Sequence, residues 1–291
     1  MTDSRTDRAI LRVNGVDLCV ETVGNPADPA LLLLAGATAS MDAWDHEFCL
    51  GLARGPRFVI RYDSRDTGQS TSYEAGAPPY TGLDLTDDAL GLLDHFSLTR
   101  AHLVGISMGG GIVQRIAVEH PDRVASLTLI STTPGGPQGP HQAELPPPSE
   151  ELQALFANPT PAPDWSDRSS VIEYLIDGER HFAGPGLDET QSRHAAARTY
   201  DRTTNIAASM TNHWLLDGVK PLRARLPEIT APALVIHGTE DPLFPFAHAR
   251  ALATEIPGAR LLPLEHVGHQ MPPRQVWDTT ISAILAHTGR S

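Results

Sequence analysis

The sequence predicts an α/β fold with a mostly parallel central sheet, helices flanking it, and a helical insertion between two core strands. Three observations carry that expectation. Short β-prone apolar runs alternate with helix-period segments toward both ends of the chain, the pattern of βαβ units. The run Ala30-Leu31-Leu32-Leu33-Leu34 is apolar without a break, as a strand covered on both faces must be. The alternation stops near Pro134 and resumes near Pro232, and nine prolines fall between Pro134 and Pro163.

Length and composition agree with one core carrying an insertion. The 291 residues exceed the usual single domain but are few for two independent ones. The core is assigned to residues 1–133 and 217–291 and the insertion, a cap over the strand ends, to 134–216. Hydrophobic residues make up 41% and charged residues 20%, and no apolar run approaches the length of a bilayer span. The stretch Met1 to Ile10 is polar and carries both charge signs, unlike a secretion signal, so a cytoplasmic protein is expected. Twenty-two basic against 35 acidic residues give a formal charge of −13, the wrong sign for a phosphate-backbone binder, and nucleic acid is not an expected partner. Cys19 and Cys49 lack metal-ligand spacing and read as small buried thiols that stay reduced.

Taken in order, Ile10 to Val23 holds two β-prone runs about Asn14-Gly15, a hairpin signal. The turn-rich Gly24 to Pro29 leads to the strand Ala30 to Leu34, which empties into Ala35-Gly36-Ala37-Thr38. Ser40 to Gly55 reads as a helix capped by Ser40 or Asp42. Arg57 to Tyr62 is a strand, Leu83 to Phe96 a helix, and Ala101 to Ile106 a strand. Gly111 to His120 has apolar residues at Ile112, Val113, Ile116 and Ala117, close to helical spacing, and Pro121 closes it. Val124 to Ser131 is the next strand. The proline-rich stretch is expected to be extended or looped, with helices following at Ser169 to Phe182 and Asp188 to Trp214. Beyond them come a strand from Ala233, a strand at Ala259 to Leu264 and a closing helix at Val276 to His287.

The chemistry centres on Gly105-Ile106-Ser107-Met108-Gly109. A strand feeds Gly-x-Ser-x-Gly and a helix leaves it, so the chain must turn tightly enough to hold the serine in strained backbone with its hydroxyl over the sheet edge. The plain alternative is a serine in an ordinary glycine turn. The strand and helix on either side favour a nucleophile.

On those residues the chain resembles the α/β-hydrolase family. The resemblance implies a serine nucleophile with acid and histidine partners later in the chain, in the order Ser, Asp, His. Gly238-Thr239-Glu240-Asp241 matches the family's acid at Asp241, with Glu240 a local competitor. Gly268-His269 matches the base at His269, with His266 the alternative. The family's oxyanion donors correspond to the backbone amides of Ala37 and Met108, although many relatives have His-Gly where this chain has Ala35-Gly36. In Asp63-Ser64-Arg65-Asp66-Thr67-Gly68-Gln69-Ser70 the wording Arg-Asp-Thr-Gly is similar to the branch containing aclacinomycin methylesterase. Arg65 and Asp66 read either as substrate contacts or as a buried ion-pair scaffold.

The expected activity is hydrolysis of a bulky hydrophobic carboxylic ester, with a methyl ester of an aromatic polyketide as the specific reading. No metal or organic cofactor is required. Phe156, Trp165, Tyr174, Phe182, Tyr200, Met210 and Trp214 would form an apolar roof or pack the insertion itself. The alternatives are a lactone or carbon-carbon hydrolase or a cofactor-free perhydrolase with the same triad, and a ligand-binding or sensor protein on the same fold.

Overall fold

Asn14 and Gly15 take positive φ (45° and 76°), as a two-residue type I′ turn requires. They join β1 (Thr6–Val13) to β2 (Val16–Val23), antiparallel, with Val13 opposite Val16. The computed structural model describes residues 6–135, 142, 144–217 and 220–289. Residues 1–5 of the polar amino-terminal stretch, and 136–141 and 143 of the proline-rich stretch, lie outside the described residues.

The remaining strands are β3 (Ala30–Leu34), β4 (Phe58–Tyr62), β5 (Ala101–Ile106), β6 (Val124–Ile130), β7 (Ala233–Gly238) and β8 (Arg260–Leu264). They form one eight-stranded sheet in the order β1-β2-β4-β3-β5-β6-β7-β8. β2 meets β4 antiparallel, and every pairing beyond β4 is parallel. Leu31 and Leu33 enter the apolar cluster on one face while Leu32 and Leu34 enter the cluster on the other. That is why the unbroken apolar run is a strand here: the pleat sends alternate side chains into two different cores.

The helices are α1 (His46–Arg54), α2 (Gly82–His95), α3 (Met108–Glu119), α4 (Glu150–Ala157), α5 (Arg168–Phe182), α6 (Glu189–Arg202), α7 (Ile206–Thr211), α8 (Ala247–Glu255) and α9 (Trp277–Thr288). Thr81 and Asp84 close a reciprocal capping box on α2, which fixes its start. No described helix is long and apolar enough to cross a membrane.

Three expectations need correction. Ser40 to Gly55 is not one helix: Ser40 caps a 3-10 turn at Met41–Ala43, and α1 begins only at His46, capped by Asp45. The break places Trp44 fully inside the core, beside Phe48. The proline-rich stretch is not wholly extended, because Ser149 accepts from the Leu152 amide and starts α4 directly after Pro148. Proline ahead of the N-cap costs a helix no internal hydrogen bond. The long helix expected at Asp188 to Trp214 is α6, α7 and a 3-10 turn at Asn212–Leu215, interrupted where Asn205 caps α7.

Candidate active site

Ser107 joins β5 to α3 with φ 52° and ψ −117°. A serine there is strained backbone, and it persists because the surroundings leave no alternative. A Cβ on Gly105 would collide with the Gly109 carbonyl, and one on Gly109 with the carbonyls of Leu34 and Ala35 at the end of β3. The Ser107 amide donates to the Ile130 carbonyl (3.0 Å). Both glycines of the motif are therefore demanded by backbone passing within contact distance.

The histidine and acid predicted from the sequence meet at this serine. His269 Nε2 lies 3.0 Å from Ser107 Oγ, and its Nδ1 lies 2.9 Å from Asp241 Oδ2. A carboxylate can only accept, so the proton sits on Nδ1 and leaves the Nε2 lone pair to accept from the serine hydroxyl. Asp241 Oδ1 accepts from the amides of Leu243 (2.9 Å) and Phe244 (2.7 Å), and His237 Nε2 approaches Oδ2 at 3.2 Å. Burial alone would raise this carboxyl, but the hydrogen bonds from His237 and His269 outweigh it and hold Asp241 well below the usual carboxylate range.

The competing residues form a separate pair. His266 Nδ1 and Glu240 Oε1 are 2.7 Å apart on the exposed surface, where Glu240 raises the histidine's proton affinity. Neither lines the cavity at Ser107.

Ala37 and Ser107 both line that cavity. Met108 is the first residue of α3, where an amide has no acceptor within its own helix. Gly36 packs so closely that a Cβ there would touch the Ser107 Cβ at 3.4 Å. The cavity has a volume of about 410 Å³, the size of a site for a small organic molecule. Phe182, Met210 and Trp214, from the stretch between β6 and β7, line it with Phe48 and Trp277.

Phe156, Trp165, Tyr174 and Tyr200 do not line it. Trp165 and Tyr174 pack edge to face at 5.7 Å, and the Tyr200 hydroxyl donates to the Trp165 carbonyl. Sequence reasoning missed Trp277, Leu243 and Met271-Pro272-Pro273 as wall residues. The last three follow His269 after Gln270, which lines the wall too, and that proximity was the available signal.

Arg65 and Asp66 belong to the scaffold. Both are buried. Arg65 pairs through two nitrogens with Asp88 (2.8 Å each), and Asp66 accepts from the Tyr80 hydroxyl (2.7 Å) and Asn212 (2.9 Å). Burial pushes the Cys19 thiol up to about 11 and that of Cys49 up to about 12, which makes both poor nucleophiles near neutrality.

The family described as alpha/beta hydrolase fold matches residues 29–271. The chain is 34% identical to rhodomycin D methylesterase DauP of Streptomyces sp. (strain C5), covering 94% of this chain and 95% of the relative. It is 33% identical to rhodomycin D methylesterase DnrP of Streptomyces peucetius, with the same coverage. Among solved structures, the enol-lactonase from Burkholderia xenovorans LB400 superposes with a TM-score of 0.74 at 26% identity, over 97% of this chain and 100% of that one. With the family match running from just before β3 to just past His269, the chain belongs to the alpha/beta hydrolase fold family.

Proposed function

We propose that this protein is a serine carboxylic ester hydrolase in which Ser107 is the nucleophile, His269 the general base and acid, and Asp241 the orienting carboxylate. One observation carries the reading: His269 bridges Ser107 Oγ and Asp241 Oδ2 at 3.0 and 2.9 Å at the floor of a cavity. The substrate is a bulky hydrophobic ester, and the two related methylesterases support a methyl ester of an aromatic polyketide.

As Ser107 Oγ attacks the ester carbonyl, its proton passes to His269 Nε2. Asp241 keeps the imidazole in the required tautomer and stabilises its charged form. The amides of Ala37 and Met108 bind the oxyanion, where one donor is worth about 10²–10³ in rate. His269 returns the proton to the leaving alkoxide, which departs as methanol when the ester is methyl. Water, deprotonated by the same histidine, then attacks the acyl-enzyme, releasing the carboxylic acid and restoring the serine.

Residues 134–216 act as a cap over the strand ends, with 1–133 and 217–291 forming the core. The cap's apolar wall excludes water from the reacting bond. The working compartment is the cytoplasm, where two buried, unbridged thiols stay reduced.

A fluorophosphonate probe tests the nucleophile: it labels the wild type and leaves Ser107→Ala unlabelled. A panel of methyl esters, lactones and diketones tests the bond. Ester turnover that disappears in Ser107→Ala supports the reading, whereas inert esters with lactone or diketone cleavage overturn the substrate class. Equal failure of wild type and Ser107→Ala to label favours a binding protein.

A further inference from the structure

Three glycines allow three stretches of backbone to stack around the loop that carries His269. A Cβ on Gly238, the last residue of β7, would collide with the Val267 carbonyl. A Cβ on Gly184, just past α5, would lie 2.5 Å from the His266 carbonyl oxygen and 2.7 Å from the Gly268 nitrogen. A Cβ on Gly268 would in turn meet the Gly184 nitrogen and the Phe182 carbonyl. None of the three is among the residues at positive φ, so glycine is needed here for room and not for its backbone freedom. The loop from His266 to Gly268 is therefore packed between the strand end that leads to Asp241 and the Phe182–Gly184 segment.

Hydrogen bonds fasten that outer segment down. The His269 amide donates to the Phe182 carbonyl at 2.7 Å, and the Gly184 amide donates to Gln270 Oε1 at 2.7 Å. The Phe182 ring packs on the His269 imidazole at 6.1 Å between centroids, and Phe244 packs on it edge to face at 5.2 Å. On the inner side the Glu240 amide donates to the Val267 carbonyl at 3.0 Å. With β7 closing that side, the outer segment decides how tightly the loop is held.

We infer that Phe182, Gly184 and Gln270 are positioning residues for the reaction: they press the loop bearing His269 against the end of β7 and so keep the imidazole on Ser107. The inference rests on the proposed role of His269 as general base. What they set is the place of the whole loop. A methyl group on Gly184 would need about 1 Å more to reach an ordinary contact distance, and only the outer segment can yield it. The Phe182 carbonyl and ring then lift from His269, and the loop, with Gly268 unrestricted by a Cβ, loosens.

The test compares Gly184→Ala with Gly178→Ala, a site in α5 where a Cβ meets nothing within 4 Å. With kcat and KM measured on a methyl ester, Gly184→Ala should lower kcat by about 10²-fold, the cost of roughly 1 Å of misplacement. KM should change little, because Gly184 does not line the cavity. Gly178→Ala should match wild type. Gln270→Glu keeps an acceptor for the Gly184 amide and should retain more of kcat than Gln270→Met, which keeps the bulk and lacks the acceptor; equal losses would overturn the role of Gln270. An unchanged kcat in Gly184→Ala, or a rise in KM alone, would overturn the inference. If Gly184→Ala does not fold, the Gln270 pair decides on the same criterion.

Wild type and Ser107→Ala run alongside to separate this inference from the reaction itself. If neither turns over an ester, a crystal structure of Gly184→Ala or Gln270→Met is read instead. His269 Nε2 still 3.0 Å from Ser107 Oγ defeats the positioning claim, while a displaced imidazole upholds it and leaves only the assigned reaction in error.

Discussion

Replacing Arg202 with methionine removes the cation that ties the end of α6 to Asp42 and Asp63. Arg202 ends α6, and its Nε lies 2.6 Å from Asp42 Oδ2 while Nη1 and Nη2 lie 2.6 Å from the two oxygens of Asp63. The Asp63 side chain is fully buried, and those of Asp42 and Arg202 are 10% and 12% exposed, so solvent screens the network little. Asp63 keeps its bonds to the amides of Met41 (2.8 Å) and Gln69 (2.9 Å), but two carboxylates are left without a counter-charge. Breaking a buried pair from one side costs about 3–5 kcal/mol, a large share of the roughly 5–15 kcal/mol that holds a domain folded. At about 2 °C per kcal/mol for a chain of this size, Tm should fall by roughly 6–10 °C. Thermal melting followed by circular dichroism reads the shift, and adding Asp63→Asn should recover part of it by removing a stranded charge. If only the insertion loosens, amide exchange in α6 rises while Tm holds. A variant with wild-type melting and wild-type exchange would refute the assigned role of the network.

Two further perturbations probe the site. In His237→Phe, Asp241 loses the imidazole that helps hold its carboxyl down, so that carboxyl should move back toward the usual carboxylate range. The stability contributed by depressing Asp241 is present above its unfolded pKa and lost as pH falls through the folded one, so acid unfolding of this variant should also begin at higher pH, which a denaturation series in acid would show. The glycines of the nucleophile turn make a contrasting pair. Gly109→Ala drives a methyl into two carbonyls that cannot retreat and should destabilise by about 1–3 kcal/mol, whereas Gly111→Ala, exposed in α3 with nothing within 4 Å, should stabilise by about 0.5–1 kcal/mol in urea unfolding. Equal midpoints for the two would mean that the close approach at Gly109 is not real.

What the sequence made legible was whatever is decided within a few residues. The run Ala30 to Leu34 is the strand with those bounds, and Asn14-Gly15 is the expected turn, because a pleat and a two-residue hairpin each depend on their own side chains. The breaks were harder to see, since they answer to distant partners: α1 starts late so that Trp44 can be buried, and α6 gives way to Asn205, whose side chain caps α7 while donating to the Tyr73 carbonyl. The amphipathic α8 between β7 and β8 went unread, having no side-chain cap to announce it. At the site the family wording pointed to Asp241 and His269, with Glu240 and His266 as neighbouring alternatives. The fold separates them by sending His266, at φ 60°, to pair with Glu240 in solvent, while Asp241 and His269 turn inward.

The same distinction explains why the turn at Ser107, the proposed nucleophile, was readable and the turn at Thr38 only partly so. Gly105 and Gly109 advertise the serine because the backbone that crowds them belongs to the motif itself and to the end of β3. Thr38 advertises nothing: in isolation it argues for a right-handed turn residue, and only His213, 175 positions away and accepting from its amide, makes its left-handed backbone intelligible. A local preference overruled by contacts that distant requires the contacts to be maintained. Any variant that loosens the α6 to α7 segment, including Arg202→Met, should therefore raise hydrogen exchange at the Thr38 amide, whose acceptor is His213 Nδ1.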